Sequence, residues 1–505
     1  PCQHLASPAT ALRQPQEMAP PPMLLLLLMA PAGALRLDAP PQAVASAMFD
    51  GQQPAYSAAS EAAACVPMAN RGSHYTVRVE VGTPPRTMDL LADTGSDAVI
   101  VNACQCGEAD GCSGLDKCFS PHRSTTFNQS HESYGHESRV VMMFGSGEIE
   151  SKVGSDVVNV GGLSAQLHQG LYMLVRRKLN INGPFEGILG LGPPHEKLTN
   201  ETDRPRALDP YGFLEAAGVS RFSICLNRGT AGFLRLGTPP VEPALSSVAK
   251  AHWGLRLQGL SVGDWRISGL CASTEGSGEP RLCGAMPDSG TTLIAAPSSQ
   301  LKVLFSHLCD HWPRCSNGFK ENAYQTSNKW FHFERLLLDC HDWAGLKGTE
   351  LNATLLNQEL PHIRFVLAGR DGERQQLKLT GEEYLTHMYS STHLAKPAWL
   401  GGRLLPVPGA LRKICAPAFH AMETDSVNLG QIWILGLPIM HKYKVSYDRS
   451  THPPSMSFSS GMCESCGEVR LSRGAEEAQL EEERRPGLLW LDEPPQVSPF
   501  AMQWF

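Results

Sequence analysis

A four-residue pattern that occurs twice constrains this chain more than any other feature. The apolar run Met88, Asp89, Leu90, Leu91, Ala92 leads into Asp93, Thr94, Gly95 and Ser96: an acid, a hydroxyl residue, a glycine and a second hydroxyl. The order returns 195 residues later, where Gly284, Ala285, Met286 and Pro287 lead into Asp288, Ser289, Gly290 and Thr291. One copy alone reads as ordinary turn chemistry, because Asp, Ser, Thr and Gly all favour turns. Two copies in matching contexts read as a duplicated lobe. Ahead of each acid comes a strand with its turn: Tyr75 to Val81 with Gly82 to Pro85, then Trp253 to Leu260 with Val262 to Asp264. Behind each comes an apolar-apolar-Gly segment, Ile188-Leu189-Gly190 and Ile434-Leu435-Gly436.

The repeated residue types suit one chemistry. Two carboxyls facing each other cannot both ionise cheaply, so they share a proton, one acting as base and the other as acid. Such a pair activates a water for attack on an amide carbonyl and then protonates the leaving nitrogen. That chemistry requires no metal, cofactor or covalent intermediate, and none is expected. Gly95 and Gly290 let the backbone turn close to the acids. The flanking hydroxyls orient the carboxyl oxygens and tune their shared titration.

Composition agrees with a large packed β protein. The 505 residues are 42% hydrophobic and 18% charged, which excludes a disordered or collagenous chain. Gly 47 and Pro 38 suit many short strands joined by turns. Lys+Arg 43 against Asp+Glu 50, a net charge of −7, gives no surface for neutralising phosphates, so no nucleic-acid partner is expected.

Met23 opens the run Leu24 to Leu28, followed by Met29, Ala30, Pro31, Ala32, Gly33 and Ala34, with a small-x-small cleavage pattern at Ala32 and Ala34. This reads as a signal peptide, too short to span a membrane, with Met18 or Met23 as the start and residues 1–34 absent from the mature form. The expected location is the secretory pathway, either outside the cell or in an acidic vacuolar or lysosomal lumen, with no membrane span in the mature chain. Of 15 cysteines, all but Cys2 lie after this segment, leaving an even number as disulfide pairing requires. Sequons at Asn128, Asn200 and Asn352 add candidate glycosylation sites.

Over roughly residues 71 to 460 these motifs resemble the pepsin-type aspartic peptidases. The match extends to Phe222-Ser223-Ile224-Cys225-Leu226, Leu360-Pro361-His362-Ile363-Arg364-Phe365, and Trp433 to Gly436 with Tyr447-Asp448-Arg449. The resemblance implies a mostly β, bilobal fold of two pseudo-symmetric barrel-like lobes, with the active site in the cleft between them. It assigns the catalytic dyad to Asp93 and Asp288. Thr94 and Ser289 match the hydroxyls that cross between lobes, and Ser96 and Thr291 those that bond the outer carboxyl oxygens. The partner implied is a polypeptide lying extended in the cleft of a monomer. It touches Phe144, Gly145 and Ser146 of a covering hairpin, the flap, together with Gly95, Gly290, Thr292 and Ile100.

The chain departs from the family pattern at two places. The flap reads Met143-Phe144-Gly145-Ser146-Gly147-Glu148-Ile149, with Phe144 where most relatives carry tyrosine. The tryptophan that commonly bonds that tyrosine is missing from Asp97-Ala98-Val99-Ile100-Val101. Losing both leaves no orphaned donor and points to a flap closing by apolar packing. The alternative reading is a catalytically impaired, secreted peptide-binding or inhibitor-like protein. The second departure is an insert with Cys104, Cys106, Cys112 and Cys118, similar to the cysteine-rich insert of nepenthesin-like and some protist peptidases. Two disulfides are expected there in any of three connectivities, against a four-thiolate zinc knot. The family resemblance suggests Cys271–Cys283, Cys340–Cys415 and Cys225–Cys463. Cys309–Cys315 is a local pairing, and Cys65 and Cys466 remain by elimination.

The expected organisation is a propeptide or flexible lead over 35–70, an N-terminal lobe over 71–245 with the insert at 104–118 and the flap near 140–150, a C-terminal lobe over 246–460, and a mobile tail over 461–505. Gly259-Leu260-Ser261-Val262-Gly263 matches a nucleophile elbow but sits in a strand-turn-strand context, so it reads as a hairpin. The basic run Arg176-Arg177-Lys178 reads as a solvated loop.

Overall fold

The computed structural model describes residues 64–112, 117–132, 135–179, 185–193, 212–240, 242–268, 270, 283–321, 328–347, 350–390, 393–394, 406–407, 412–426 and 429–466. The segment read as a signal peptide, Cys271, Asn200 and most of the tail lie outside these residues.

Two large sheets carry the architecture. Among the described residues, fourteen strands form one sheet and nine form another. In each, buried Val, Leu and Ile residues alternate along the strands, as in Tyr75–Val81 and Leu255–Val262. The same connection is built twice. Gly187–Gly190 slots between Arg86–Asp93, with which it runs parallel, and Val99–Asn102, with which it runs antiparallel. Gly430–Leu435 slots in the same way between Cys283–Pro287 and Ile294–Ala296. Each Asp-hydroxyl-Gly turn therefore emerges from a central strand of a sheet.

The halves are joined by more than a linker. Tyr443–Asp448, late in the chain, pairs antiparallel with Arg221–Cys225 of the first sheet, and Ser455–Ser460 follows it there. At that join Phe222 stacks on Tyr447 with centroids 4.6 Å apart, and Trp253 packs on Tyr447 at 4.8 Å. Ala64–Asn70, inside the stretch read as a lead, is also a sheet strand, paired with Gly232–Leu236 and Tyr75–Val81. Disulfides Cys65–Cys466 and Cys225–Cys463 fasten residues just past the last strand to this sheet.

Three features differ from the sequence expectations or go beyond them. Arg176, Arg177 and Lys178 are not in a loop: they end the strand Leu163–Leu179, paired with Glu150, Ile149 and Glu148 of the neighbouring strand, where alternating charge replaces an open turn. A helical subdomain, Ser298–His311, Pro313–Glu321, Lys329–Leu338 and Cys340–Ala344, decorates the second sheet and carries disulfides Cys309–Cys315 and Cys340–Cys415. The elbow-like segment lies in the strand Leu255–Val262, which turns back into Trp265–Arg266 as a hairpin.

Candidate active site

Asp93 and Asp288 end or directly follow the central strands of the two sheets, and both are almost fully buried, at 6% and 9% exposure. Their partners match one for one. Gly95 N donates to Asp93 Oδ1 at 2.9 Å and Ser96 Oγ to Oδ2 at 2.5 Å; Gly290 N donates to Asp288 Oδ1 at 2.8 Å and Thr291 Oγ1 to Oδ2 at 2.5 Å. The turns also lock to each other. Thr94 N donates to Ser289 Oγ at 3.1 Å and Ser289 N to Thr94 Oγ1 at 3.0 Å, while the two hydroxyls donate onward to Pro287 O and Ala92 O. The four bonds between the turns are buried, so each of their groups would be costly to leave unpaired.

Close approach explains the glycines. A Cβ on Gly95 would lie 3.0 Å from Asp288 Oδ1, and one on Gly290 would collide with Asp93 Oδ1. The carboxyl of each turn thus packs against the glycine of the other. Gly190 and Gly436 lie against the main chain of Asp97 and Ala98 and of Thr291 and Leu293, where any Cβ would overlap backbone. Leu191 N then bonds Asp93 O at 2.7 Å, and Leu437 N bonds Thr291 O at 2.9 Å.

Burial, and next the charge of Asp288, push the Asp93 carboxyl well above the usual carboxylate range, against the opposing hydrogen bonds from Ser96 and Gly95. A buried pair of this kind holds one proton between two carboxyls over a wide pH span.

The flap is the hairpin of Arg139–Phe144 and Gly147–Val160, with exposed Gly145 and Ser146 at its tip. Phe144 and Met142 face inward onto a small buried cluster of Leu91, Ile100, Cys112, Ile149, Leu174, Phe185 and Ile188. Ile100, expected to touch substrate, is fully buried in this cluster and forms part of the floor beneath Phe144. Thr292 has its hydroxyl on Ser73 O at 2.7 Å, an additional tie across the halves. Three site neighbours carried no sequence signal. Met422 of the second half reaches the hairpin tip, its Sδ 3.3 Å from where a Cβ on Gly145 would lie. His252 brings Nδ1 within 3.1 Å of Gly95 O, and Trp253 Nε1 donates to Leu191 O at 2.9 Å.

The insert's four cysteines form Cys104–Cys118 and Cys106–Cys112, which selects one of the three connectivities and leaves no thiolate for a zinc knot. Cys283 is disulfide-bonded; its suggested partner Cys271 lies outside the described residues. Asn128 is exposed on an edge strand, and Asn352 caps the helix Ala353–Glu359 with its side-chain oxygen on Leu355 N. Among the described residues, no helix is long and apolar enough to cross a membrane.

Two mostly β lobes that present paired aspartates on crossed Asp-hydroxyl-Gly turns define an acid-protease architecture. The family profile for eukaryotic aspartyl proteases matches residues 74–311, a span that includes both turns. The chain is 24% identical to renin-2 of Mus musculus over 389 residues, covering 75% of this chain and 77% of that protein. It is 24% identical to cathepsin D of Chionodraco hamatus over 392 residues, 75% of this chain and 80% of that one. With pepsin-2B of Gadus morhua it shares 28% identity over 232 residues, 44% of this chain and 65% of the relative. By profile and by relatives alike, the chain is similar to the pepsin-type aspartic peptidases.

Proposed function

We propose that this protein is an aspartic endopeptidase that hydrolyses internal bonds of extended polypeptides, with Asp93 and Asp288 as the catalytic pair. The observation that carries this reading is the matched bonding of the two buried carboxyls, each held by one turn amide and one turn hydroxyl. Burial and the neighbouring charge hold one proton on the pair, so one carboxyl starts as the acid and the other as the base. The base takes a proton from a water between them, and the water oxygen attacks the carbonyl carbon while the acid gives its proton to the carbonyl oxygen. As the C–N bond breaks, the former base passes its proton to the leaving nitrogen and the former acid recovers one from a hydroxyl on the tetrahedral carbon, so the pair returns to its starting state.

Substrate lies as an extended strand beneath the hairpin tip at Gly145 and Ser146, whose exposed backbone offers it amides and carbonyls. Gly95, Gly290 and Thr292 line the opposite side. The enzyme works as a monomer, since one chain supplies both aspartates, and it resides in an oxidising lumen of the secretory route. Its disulfides suit that compartment.

Cleavage of a denatured protein by the purified chain, scanned over roughly pH 3 to 7 where coupled carboxyls titrate, tests the proposal. Asp288→Ala should reduce cleavage by roughly 10⁴-fold, the upper range for a general acid or base. Undiminished cleavage by that variant would overturn the assignment.

A further inference from the structure

The cysteine-rich insert reaches the flap from below. Cys112 is buried in the cluster on which Phe144 and Met142 rest, and Cys106, its disulfide partner, packs against that same cluster. Two polar ties run alongside. Gln105 Oε1 accepts from Lys152 Nζ at 3.2 Å, on the flap's second strand, and Gly111 O accepts from Arg177 Nε at 2.8 Å. Arg177 is paired in register with Ile149 of the flap strand, and its guanidinium lies 5.3 Å over the Phe185 ring of the cluster. At its far end the insert is anchored by Lys117, 3.3 Å from Asp89 and 3.7 Å from Glu186. The insert therefore grips the flap strand, its neighbour and the strand leading to Asp93.

We infer that the insert is a positioning element for the flap: the Cys106–Cys112 loop completes the apolar floor under Phe144 and so fixes the height at which the hairpin closes over the cleft. A flap with a tyrosine hydroxyl is oriented by a directed hydrogen bond. Phe144 has only packing to orient it, and packing specifies a position only if its floor is rigid. Cys106 and Cys112 are six residues apart, and their disulfide closes that short loop into the floor. Its kinetic consequence rests on the peptidase reading above; its structural consequence does not.

The molecule supplies its own control. Cys309–Cys315 also spans six residues but lies in the helical subdomain. Closing equal loops restricts the unfolded chain to a similar extent, so a difference between the two deletions isolates the brace from general stabilisation. Hydrogen exchange of the flap amides over residues 139–150 would be compared in the wild type, in Cys106→Ala/Cys112→Ala and in Cys309→Ala/Cys315→Ala. Flap exchange should quicken about tenfold in the first variant and stay unchanged in the second, as expected when one local opening loses its support. On a peptide substrate the first variant should show a KM raised several-fold with a smaller change in kcat. Equal flap protection in both variants would overturn the inference whether or not the protein cleaves peptides. If the disulfide variant does not fold, Gln105→Ala/Arg177→Ala takes its place. It should quicken flap exchange about threefold, and an unchanged rate would count equally against the brace.

Discussion

The turn bearing Asp93 and the turn bearing Asp288 hold their carboxyls with the same two kinds of bond, a glycine amide and a hydroxyl, the hydroxyl being a serine's in one and a threonine's in the other. Around these turns the two halves diverge. The first builds a flap, a disulfide-closed insert and a satellite cluster. The second builds a helical subdomain and contributes Met422 toward the flap tip. The difference separates what the pair shares from what surrounds it. Sharing one proton requires two carboxyls in near-equivalent surroundings, which a repeated turn supplies. The hairpin, the insert and the helical subdomain break that symmetry, each being present in one half only.

The equivalence of the turns is broken most sharply by their glycines. Gly290→Ala should lower kcat/KM by at least about 100-fold, because its new methyl must displace the Asp93 carboxyl and a misplaced catalytic group costs on that order. Gly95→Ala should be milder, since its methyl meets Asp288 Oδ1 at 3.0 Å and a small shift relieves it. Comparable losses in steady-state kinetics would show that the two approaches are energetically alike.

Asp93 provides the next test. Its proton is held to higher pH than an ordinary carboxylate holds one, by burial and then by Asp288. Activity should therefore fall as pH rises through that raised value, where the pair loses its shared proton. Ser96 bonds the ionised form and opposes the shift. Ser96→Ala should accordingly move the alkaline limb of the kcat/KM profile upward, by up to about one pH unit for a bond of about 1 kcal/mol. A limb that moves downward would refute this account.

The smallest effect is expected at the join of the halves. Tyr75 Oη donates its single proton to Asn227 O at 2.5 Å, so His441 Nε2, 3.0 Å away, must be the donor to Tyr75. Burial, with Arg228 nearby, lowers His441 from 6.5 to about 4. Between those values the unfolded chain binds more protons than the folded one, so this residue makes stability fall as pH drops from about 6.5 toward 4 and adds no further loss below. His441→Gln should flatten the decline in Tm across that window; an unaltered slope would exclude His441 as its source.

The paired aspartate turns were legible because they are local. Asp93 to Ser96 and Asp288 to Thr291 each fit in four residues, and Gly190 and Gly436 are marked by the apolar pair before them. The helical subdomain was missed although its signal was present: Leu301, Leu304, Phe305, Leu308 and Cys309 recur at helical spacing and are all buried. A composition that favours strands outweighed that local pattern. Arg176 to Lys178 were misread for the opposite reason, since a run of like charges says loop until a facing strand supplies Glu148 and Glu150.

The sequence by itself determined the paired turns, the mostly β class and the number of cysteines available for bridging, because each is written in a few consecutive residues or in composition. Only the tertiary structure decided which insert cysteines pair, that Tyr443–Asp448 completes the first sheet, that Ile100 lies under the flap and that His441 meets Tyr75 from 366 residues away. These are contacts between distant segments. They are selected by which surfaces the whole fold buries together, and that selection leaves no mark on either segment alone.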